Sequence, residues 1–171
     1  MILISRARSL PLLAALALAP VVSGCLYGFA GGGLPAHVRT VAVLPFDNET
    51  AAPELPRELQ DALRTALRSR LGLRDATEEK ANAIVRGKIT MFESDAAIAL
   101  SADPTRVGGA RRRLRVQVSV EIVDQVTGRT IWSRSGIQAD GDYSEGSEAQ
   151  GRKQAIDRIV NDVIEGAQSQ W

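Results

Sequence analysis

Two residue types that build reactive sites are nearly missing from this 171-residue chain, which has one cysteine (Cys25) and one histidine (His37). A single cysteine excludes an intramolecular disulfide and a thiolate metal site. A single histidine leaves only His37 for a Ser–His–Asp or Cys–His arrangement. Since the sequence also contains no metal-binding spacing of His, Cys and Asp, we predict a protein without enzymatic activity, metal or bound cofactor.

The sequence also has no excess of charge of one sign and no long hydrophobic run. Its 21 basic and 20 acidic residues give a formal net charge of +1, which provides no electrostatic basis for binding nucleic acid. The apolar run 10–22 is shorter than the about 20 residues that a spanning helix needs, and Pro11 and Pro20 interrupt it. We therefore predict no membrane-spanning helix.

The first 24 residues are typical of a secretory signal peptide. Arg6 and Arg8 precede the apolar run, and small residues follow it. The stretch Val22-Ser23-Gly24-Cys25 resembles the lipobox of bacterial lipoproteins. This resemblance implies removal of residues 1–24 and attachment of a diacylglycerol and an N-acyl lipid to Cys25. Two or three acyl chains anchor a protein stably, whereas one chain is marginal.

Cleavage would leave 147 of the 171 residues, enough for one domain with a sizeable core. Loss of Arg6 and Arg8 reduces the 21 basic residues to 19 against 20 acidic ones, a net charge of −1. The glycine-rich residues 25–37 indicate a lipidated flexible tether. Residues 38–171 are predicted to form a single α/β domain.

Leucine spacing and polar–apolar alternation predict the elements of this domain. Leucines every fourth residue indicate a helix over 54–71, with Gly72 as its stop. A second apolar stripe indicates a helix from Ser144 or Ser147 to the C-terminus. The predicted strands cover residues 38–44, 83–92, 111–123 and 130–139.

The predicted order β-α-β-β-β-α favours an α+β two-layer fold, with two helices on one face of a mixed, mainly antiparallel sheet. On the strand 83–92, alternation assigns Val85, Gly87, Ile89 and Met91 to one face. Residues 93–110 are predicted to form a long connection, and such connections are often functional or disordered. This segment is a candidate for contact with a partner.

The polar face of the predicted sheet carries a candidate basic strip, which could bind phosphate or carboxylate oxygens. The strip consists of Arg86, Lys88, Arg111, Arg113 and Arg115. The other interpretation is an exposed sheet face kept soluble by charge. Glu121 and Asp124 are placed to neutralise part of the strip.

Ordered stretches of the chain resemble the lipopolysaccharide-assembly lipoprotein family, LptE. The start "CLYGFAGGGLPAHVRTVAVLPFDNET" is similar to the mature start of that family, although Leu26 replaces its usual glycine. The matching residues are Cys25, Tyr27, Phe29, Pro45, Phe46, Asn48 and Thr50. The stretches "ANAIVRGKIT", "RLRVQVSVEIVDQVTGRTIWSRSG" and "GDYSEGSEAQGRKQAIDRIVNDVIEGA" resemble its later strands and last helix.

The resemblance implies two helices on a sheet and a role as plug and assembly partner of the outer-membrane β-barrel LptD. Such a protein helps to deliver lipopolysaccharide to the cell surface, and some members bind it through basic residues. Leu26 after the cysteine favours the outer membrane, since an Asp there favours the inner one. The implied location is the periplasmic side of that membrane.

Two other classes of function remain open from the sequence. A periplasm-facing adaptor that regulates an envelope enzyme, or a subunit of a secretion pore, would share the "AVLPF" strand. An enzyme would instead depend on His37 or on the acids Asp47 and Glu49. The identity of the partner, or the effect of alanine at these residues, separates the alternatives.

Overall fold

The fold is described from a computed structural model, which covers residues 34–99 and 111–169. The predicted signal peptide, Cys25 and most of the tether lie outside the described residues. So do residues 100–110, which make up most of the connection predicted as a partner contact.

Six strands and two helices follow one another in the predicted order, with two short strands added. The strands are β1 (Thr40–Val43), β2 (Asp47–Asn48), β3 (Arg74–Asp75), β4 (Ala83–Ala99), β5 (Arg111–Asp124) and β6 (Thr130–Ser144). The helices are α1 (Leu55–Leu71) and α2 (Glu148–Ser169), and a 3-10 turn covers Glu78–Lys80. The α+β class and the two helices packed on a mixed sheet are confirmed.

The sheet has the strand order β3-β1-β4-β5-β6, with β2 pairing with β4 beyond the end of β1. Strand β1 pairs in parallel with β3 and β4, and β2 pairs in parallel with β4, whereas β4, β5 and β6 form an antiparallel meander. One face of the sheet packs against both helices and forms the hydrophobic core. The other face is polar, and we call it the open face.

Helix α1 forms as its sequence predicts. Pro56 stands in the first turn, where its missing N–H costs no hydrogen bond. Gly72 ends the helix in the left-handed conformation at φ 68°, and its N–H donates to the carbonyl of Leu67. The leucine stripe is buried against the sheet.

Helix α2 contacts β6 closely because both elements have glycine at the contact. A Cβ atom on Gly141 of β6 would lie 3.0 Å from the Cα of Gly151 and 2.6 Å from its carbonyl carbon. A Cβ on Gly151 would lie 2.9 Å from Cδ1 of Tyr143. Gly151 weakens the first turn of α2 as an isolated helix, but it allows this approach.

Three sequence predictions about the meander are wrong. Residues 93–99 continue β4 rather than opening a connection, and β6 continues past Ala139 to Ser144. Met91 does not share the face of Val85 and Ile89, because a bulge shifts the register between Ile89 and Met91. Phe92 lies opposite the buried Val116 and packs against the core instead.

Candidate functional site on the open face of the sheet

The residues of the basic strip lie on the open face, but they form two groups rather than one cluster. Arg86 lies opposite Glu121, and Lys88 lies opposite Ser119. Arg113 and Arg115 lie at least four positions along β5 from Ser119, which corresponds to roughly 14 Å. Arg111 is exposed at the start of β5, opposite Ser144.

Arg113 and Arg115 each bind an aspartate directly across the strand pair. The Nε of Arg113 donates to Oδ1 of Asp142 at 2.7 Å, and the Nε of Arg115 donates to Oδ1 of Asp140 at 2.8 Å. A second nitrogen of each guanidinium reaches the other carboxylate oxygen, at 3.4 Å and 3.3 Å respectively. These forked contacts make the pairs directional as well as electrostatic.

Arg86 and Lys88 also have acidic partners. The Nη2 of Arg86 lies 2.9 Å from Oε2 of Glu121, whose Oε1 accepts a hydrogen bond from the Thr130 hydroxyl. The Nζ of Lys88 lies 3.1 Å from Oε1 of Glu49. The open face is therefore a ladder of four ion pairs, which we call the charge ladder: Arg86–Glu121, Lys88–Glu49, Arg113–Asp142 and Arg115–Asp140.

Pairing shifts the pKa values of five members of the charge ladder towards their ionised forms: Arg113, Arg115, Glu121, Asp140 and Asp142. The hydrogen bond with Asp142 and the charge of that carboxylate raise the pKa of Arg113. The hydrogen bond from Arg115 outweighs partial burial and lowers the pKa of Asp140, as Arg113 does for Asp142. Hydrogen bonds from Thr130 and Arg86 lower the pKa of Glu121. The four pairs of the ladder balance basic and acidic side chains one for one.

A shallow groove of about 600 Å³ lies at the Arg86 and Lys88 end of the ladder. Its walls include the hydroxyl-bearing residues Ser119, Ser133 and Ser135. Hydroxyl groups beside paired charges suit a polar partner that can both donate hydrogen bonds to this groove and accept them from it.

The candidate catalytic residues have structural contacts. The Nε2 of His37 binds Oδ2 of Asp124 at 2.8 Å, and the Thr127 hydroxyl donates to the same oxygen at 2.7 Å. The hydroxyl thus contacts the carboxylate rather than the imidazole, which is not the order of a nucleophile–His–Asp relay. Glu49 binds Lys88, while Asp47 lies on β2 opposite Lys88.

Asp124 was expected to neutralise the basic strip, but it is buried at 4% exposure and serves the β5–β6 turn instead. Burial acts to raise its pKa. Hydrogen bonds from Thr127, from His37 and from the N–H groups of Val126 and Thr127 outweigh burial and lower it. Glu121 does neutralise part of the strip, as predicted.

The two aspartates of the ladder were missed in the sequence because the third meander strand was predicted to end at Ala139. If the alternation is continued for three more residues, Asp140 and Asp142 fall on the open face with Gln138. A second missed feature is Arg152 of α2, which is 13% exposed and contacts Glu54, Glu58 and Glu148 at 3.2–3.3 Å. It joins the first turns of the two helices.

Residues 34–94 and 111–169 contain no group of three or more His, Cys, Asp or Glu side chains arranged to hold a metal ion. Neither of the two helices in those ranges is long and apolar enough to cross a membrane.

Comparison with known families gives a match over most of the chain. The family model described as LptE, lipopolysaccharide-assembly, matches residues 38–166. The chain belongs to the LptE family. The resemblance read from the sequence is thereby confirmed, and the match spans every strand and helix of this LptE-family domain except the last turn of α2. No curated protein matches the sequence.

Solved structures share the fold of this LptE-family protein at low sequence identity. Protein XCC0632 from Xanthomonas campestris has a TM-score of 0.56 and 12% identity, covering 81% of this chain and 90% of its own. CT253 from Chlamydia trachomatis has a TM-score of 0.51 and 12% identity, covering 74% and 93%. A PelC dodecamer from Paraburkholderia phytofirmans, with one substitution in its chain, has a TM-score of 0.50 and 19% identity, covering 78% and 92%.

Proposed function

We propose that this protein is a lipid-anchored outer-membrane lipoprotein that partners and plugs an LptD-like β-barrel and so assists the assembly of lipopolysaccharide at the cell surface. The family match over residues 38–166 is the observation that carries the proposal. The role is structural rather than enzymatic. Among the described residues, the eight side chains of the charge ladder are engaged with one another, which suits binding better than catalysis.

The anchor in this proposal is Cys25. Its thiol takes the diacylglycerol, and the new amine takes an acyl chain after cleavage behind Gly24. Each buried CH₂ contributes about 0.8 kcal/mol of membrane affinity, so two or three chains hold the protein stably. Leu26 directs it to the outer membrane, where it faces the periplasm.

We propose that the charge ladder is the surface that meets the barrel or lipopolysaccharide. A balanced face can exchange its internal ion pairs for pairs with a partner that presents both signs of charge. An isolated phosphate would instead have to displace Asp140 or Asp142 from bidentate pairs. The ladder therefore favours a polar protein wall as the main partner, with lipopolysaccharide phosphates at Arg111, Arg113 and Arg115 as a second contact.

The test is co-purification from the bacterium that encodes the protein. The tagged full-length chain is extracted from membranes in mild detergent, and the bound proteins and lipopolysaccharide are quantified. We expect a large outer-membrane barrel at near-equal amount. Replacement of Arg113 and Arg115 by Gln should reduce the amount of co-purified barrel. Arg57→Gln, at an exposed position of α1, is the control and should leave that amount unchanged.

Other outcomes would replace the proposal. Co-purification of an envelope enzyme such as a cell-wall synthase would indicate the adaptor role. A ring of identical subunits would indicate a secretion-pore subunit; the PelC protein that shares the fold is a dodecamer. The mass of the detergent-extracted complex separates a ring from a one-to-one complex with a barrel.

A further inference from the structure

The end of the sheet where the chain enters the domain has features that the proposed function does not use. We call it the anchor end and define it by residues 34–39, 78–82 and 124–130. These residues form the entry into β1, the 3-10 turn with the residues that precede β4, and the β5–β6 turn.

A single buried carboxylate joins the entry segment to the β5–β6 turn. Oδ2 of Asp124 binds Nε2 of His37 at 2.8 Å, while its Oδ1 accepts the N–H of Val126 at 2.9 Å. The N–H of Asp124 donates to the carbonyl of Arg129 at 2.8 Å and closes the turn. The entry segment and the tip of the turn are therefore held side by side.

Asn82 adds a second connection at the same end. Its side-chain oxygen accepts the N–H groups of Arg39 and Thr40 at 3.1 Å each. Its carbonyl accepts the N–H of Gln125 at 2.8 Å. The position at which the chain enters the domain is thus fixed on both sides.

The surface at this end combines an exposed apolar side chain with cations that lack acidic partners. Val126 is 67% exposed and is the one exposed large apolar side chain among residues 34–94 and 111–169. Arg39, Lys80 and Arg129 are exposed and form no ion pair with any described residue, in contrast to the arginines and lysine of the charge ladder.

Two exposed acids, Glu78 and Glu79, accompany these three cations. The carboxylate of Asp124 is buried beneath the turn and does not contribute to the surface. The exposed anchor end therefore carries a small positive excess around an apolar tip, which is the chemistry that suits a lipid headgroup region.

Chain length limits how far this end can lie from the lipid attachment atom. Leu34 lies nine positions after Cys25, so the two lie at most about 32 Å apart in any conformation. Strand β5 alone is about 48 Å long at its 14 residues. A tether this short keeps the anchor end at an effective concentration on the order of millimolar near the bilayer, at which weak contacts are occupied.

From this juxtaposition we propose that the anchor end rests on the bilayer surface, with Val126 in the headgroup region and Arg39, Lys80 and Arg129 at lipid phosphates. The partner is a lipid bilayer that contains anionic headgroups. The inference rests on the lipidation of Cys25 in the proposed function, and it is independent of the barrel. It orients the domain, because the anchor end must then lie nearer to the lipid headgroups than the opposite end of the sheet.

A single-thiol label tests the inference. Because lipidation blocks the only native cysteine, Val126→Cys introduces one reactive thiol, and Ser144→Cys provides the matched control at the opposite end of the sheet. Each lipidated full-length variant carries an environment-sensitive dye and is placed in vesicles of phosphatidylethanolamine with a minority of phosphatidylglycerol. We expect quenching by nitroxide lipids to be at least about threefold greater at position 126, as for a group within the interface.

Two further measurements keep the outcomes distinct. Mass spectrometry of the N-terminal peptide and vesicle flotation report the anchor: a chain without lipid overturns both this inference and the proposed anchor. A lipidated, floating protein with equal quenching at the two positions overturns this inference alone. Replacement of Arg39 and Arg129 by Gln should lower quenching at position 126 by about twofold or more, whereas Arg57→Gln should leave it unchanged. Unchanged quenching in the first variant would overturn the assignment of these cations.

Discussion

The contact between Gly141 and Gly151 gives the sharpest prediction about the fold. In Gly141→Ala, the added Cβ would meet the backbone of Gly151, at 2.6 Å from its carbonyl carbon and 3.0 Å from its Cα. Backbone atoms cannot move aside by changing a rotamer, and ordinary contacts of this kind are about 3.5–4.0 Å. Helix α2 would therefore have to shift away from β6 by on the order of 1 Å.

The size of the effect follows from two opposing terms. Overpacking typically costs about 1–3 kcal/mol. The upper half of that range applies here, because the added Cβ would meet backbone atoms of Gly151 rather than a flexible side chain. Alanine in place of glycine in a strand returns roughly 0.5–1 kcal/mol. We expect a net loss of about 2 kcal/mol in the free energy of unfolding, or about 4–8 °C in the melting temperature of a chain of this size.

The assay is urea and thermal unfolding of the full-length protein in detergent, followed by circular dichroism. Gly128→Ala is the control, because its Cβ would meet nothing within 4 Å while its φ of 69° costs alanine about 1 kcal/mol. A Gly141→Ala protein as stable as the original would contradict the close approach of α2 to β6.

Three other perturbations follow from described contacts. Hydrogen bonds outweigh burial and lower the pKa of Asp124 and Asp140 in the folded protein. Their stabilising contribution is therefore complete above the pKa of an unfolded Asp, about 4, and is lost as pH falls through the lower pKa of the folded state. The urea midpoint should stay level down to about pH 5 and then decline. Arg152→Ala leaves Glu54 and Glu58 of α1 without their shared partner and should cost about 1–3 kcal/mol in the same unfolding assay. Cys25→Ser should move the protein from the membrane fraction to the soluble fraction and remove the lipid mass from its N-terminal peptide.

Each of these has a result that would count against it. A urea midpoint that rises on acidification would reverse the sign argued for the aspartates. Unfolding of Arg152→Ala at the same urea concentration as the unsubstituted protein would mean that the ion pairs of Arg152 contribute nothing to stability. Retention of Cys25→Ser in the membrane fraction would show that another part of the chain holds it there.

Local patterns in the sequence predict most of the fold. The four-residue leucine spacing predicted α1 to within one residue, since helical periodicity and the glycine stop are both local. Alternation predicted which residues of β5 face the core, and the burial pattern of that strand follows it throughout. Met91 was misplaced because one extra residue at a bulge inverts every later side chain of the strand.

The candidate site was predicted only in part, for a related reason. The cations Arg113 and Arg115 were correctly placed on the open face, but the strand that carries their partners was ended too early. Had β6 been continued in its alternation, Asp140 and Asp142 would have appeared opposite them. The contact between His37 and Asp124 spans 87 positions and leaves no periodic signal, so no local pattern predicts it.

The position of β1 in the sheet has a mechanical consequence. This strand directly follows the entry segment, residues 34–39, and it lies between two parallel neighbours, β3 and β4. A pull on the lipid proposed at Cys25 would reach the domain through His37 and then along β1. Such a load acts in shear, so the hydrogen bonds on both sides of β1 must yield together, whereas a strand at the edge would peel away one bond at a time. The lipid proposed at Cys25 would therefore load the sheet at an interior strand rather than at an edge strand.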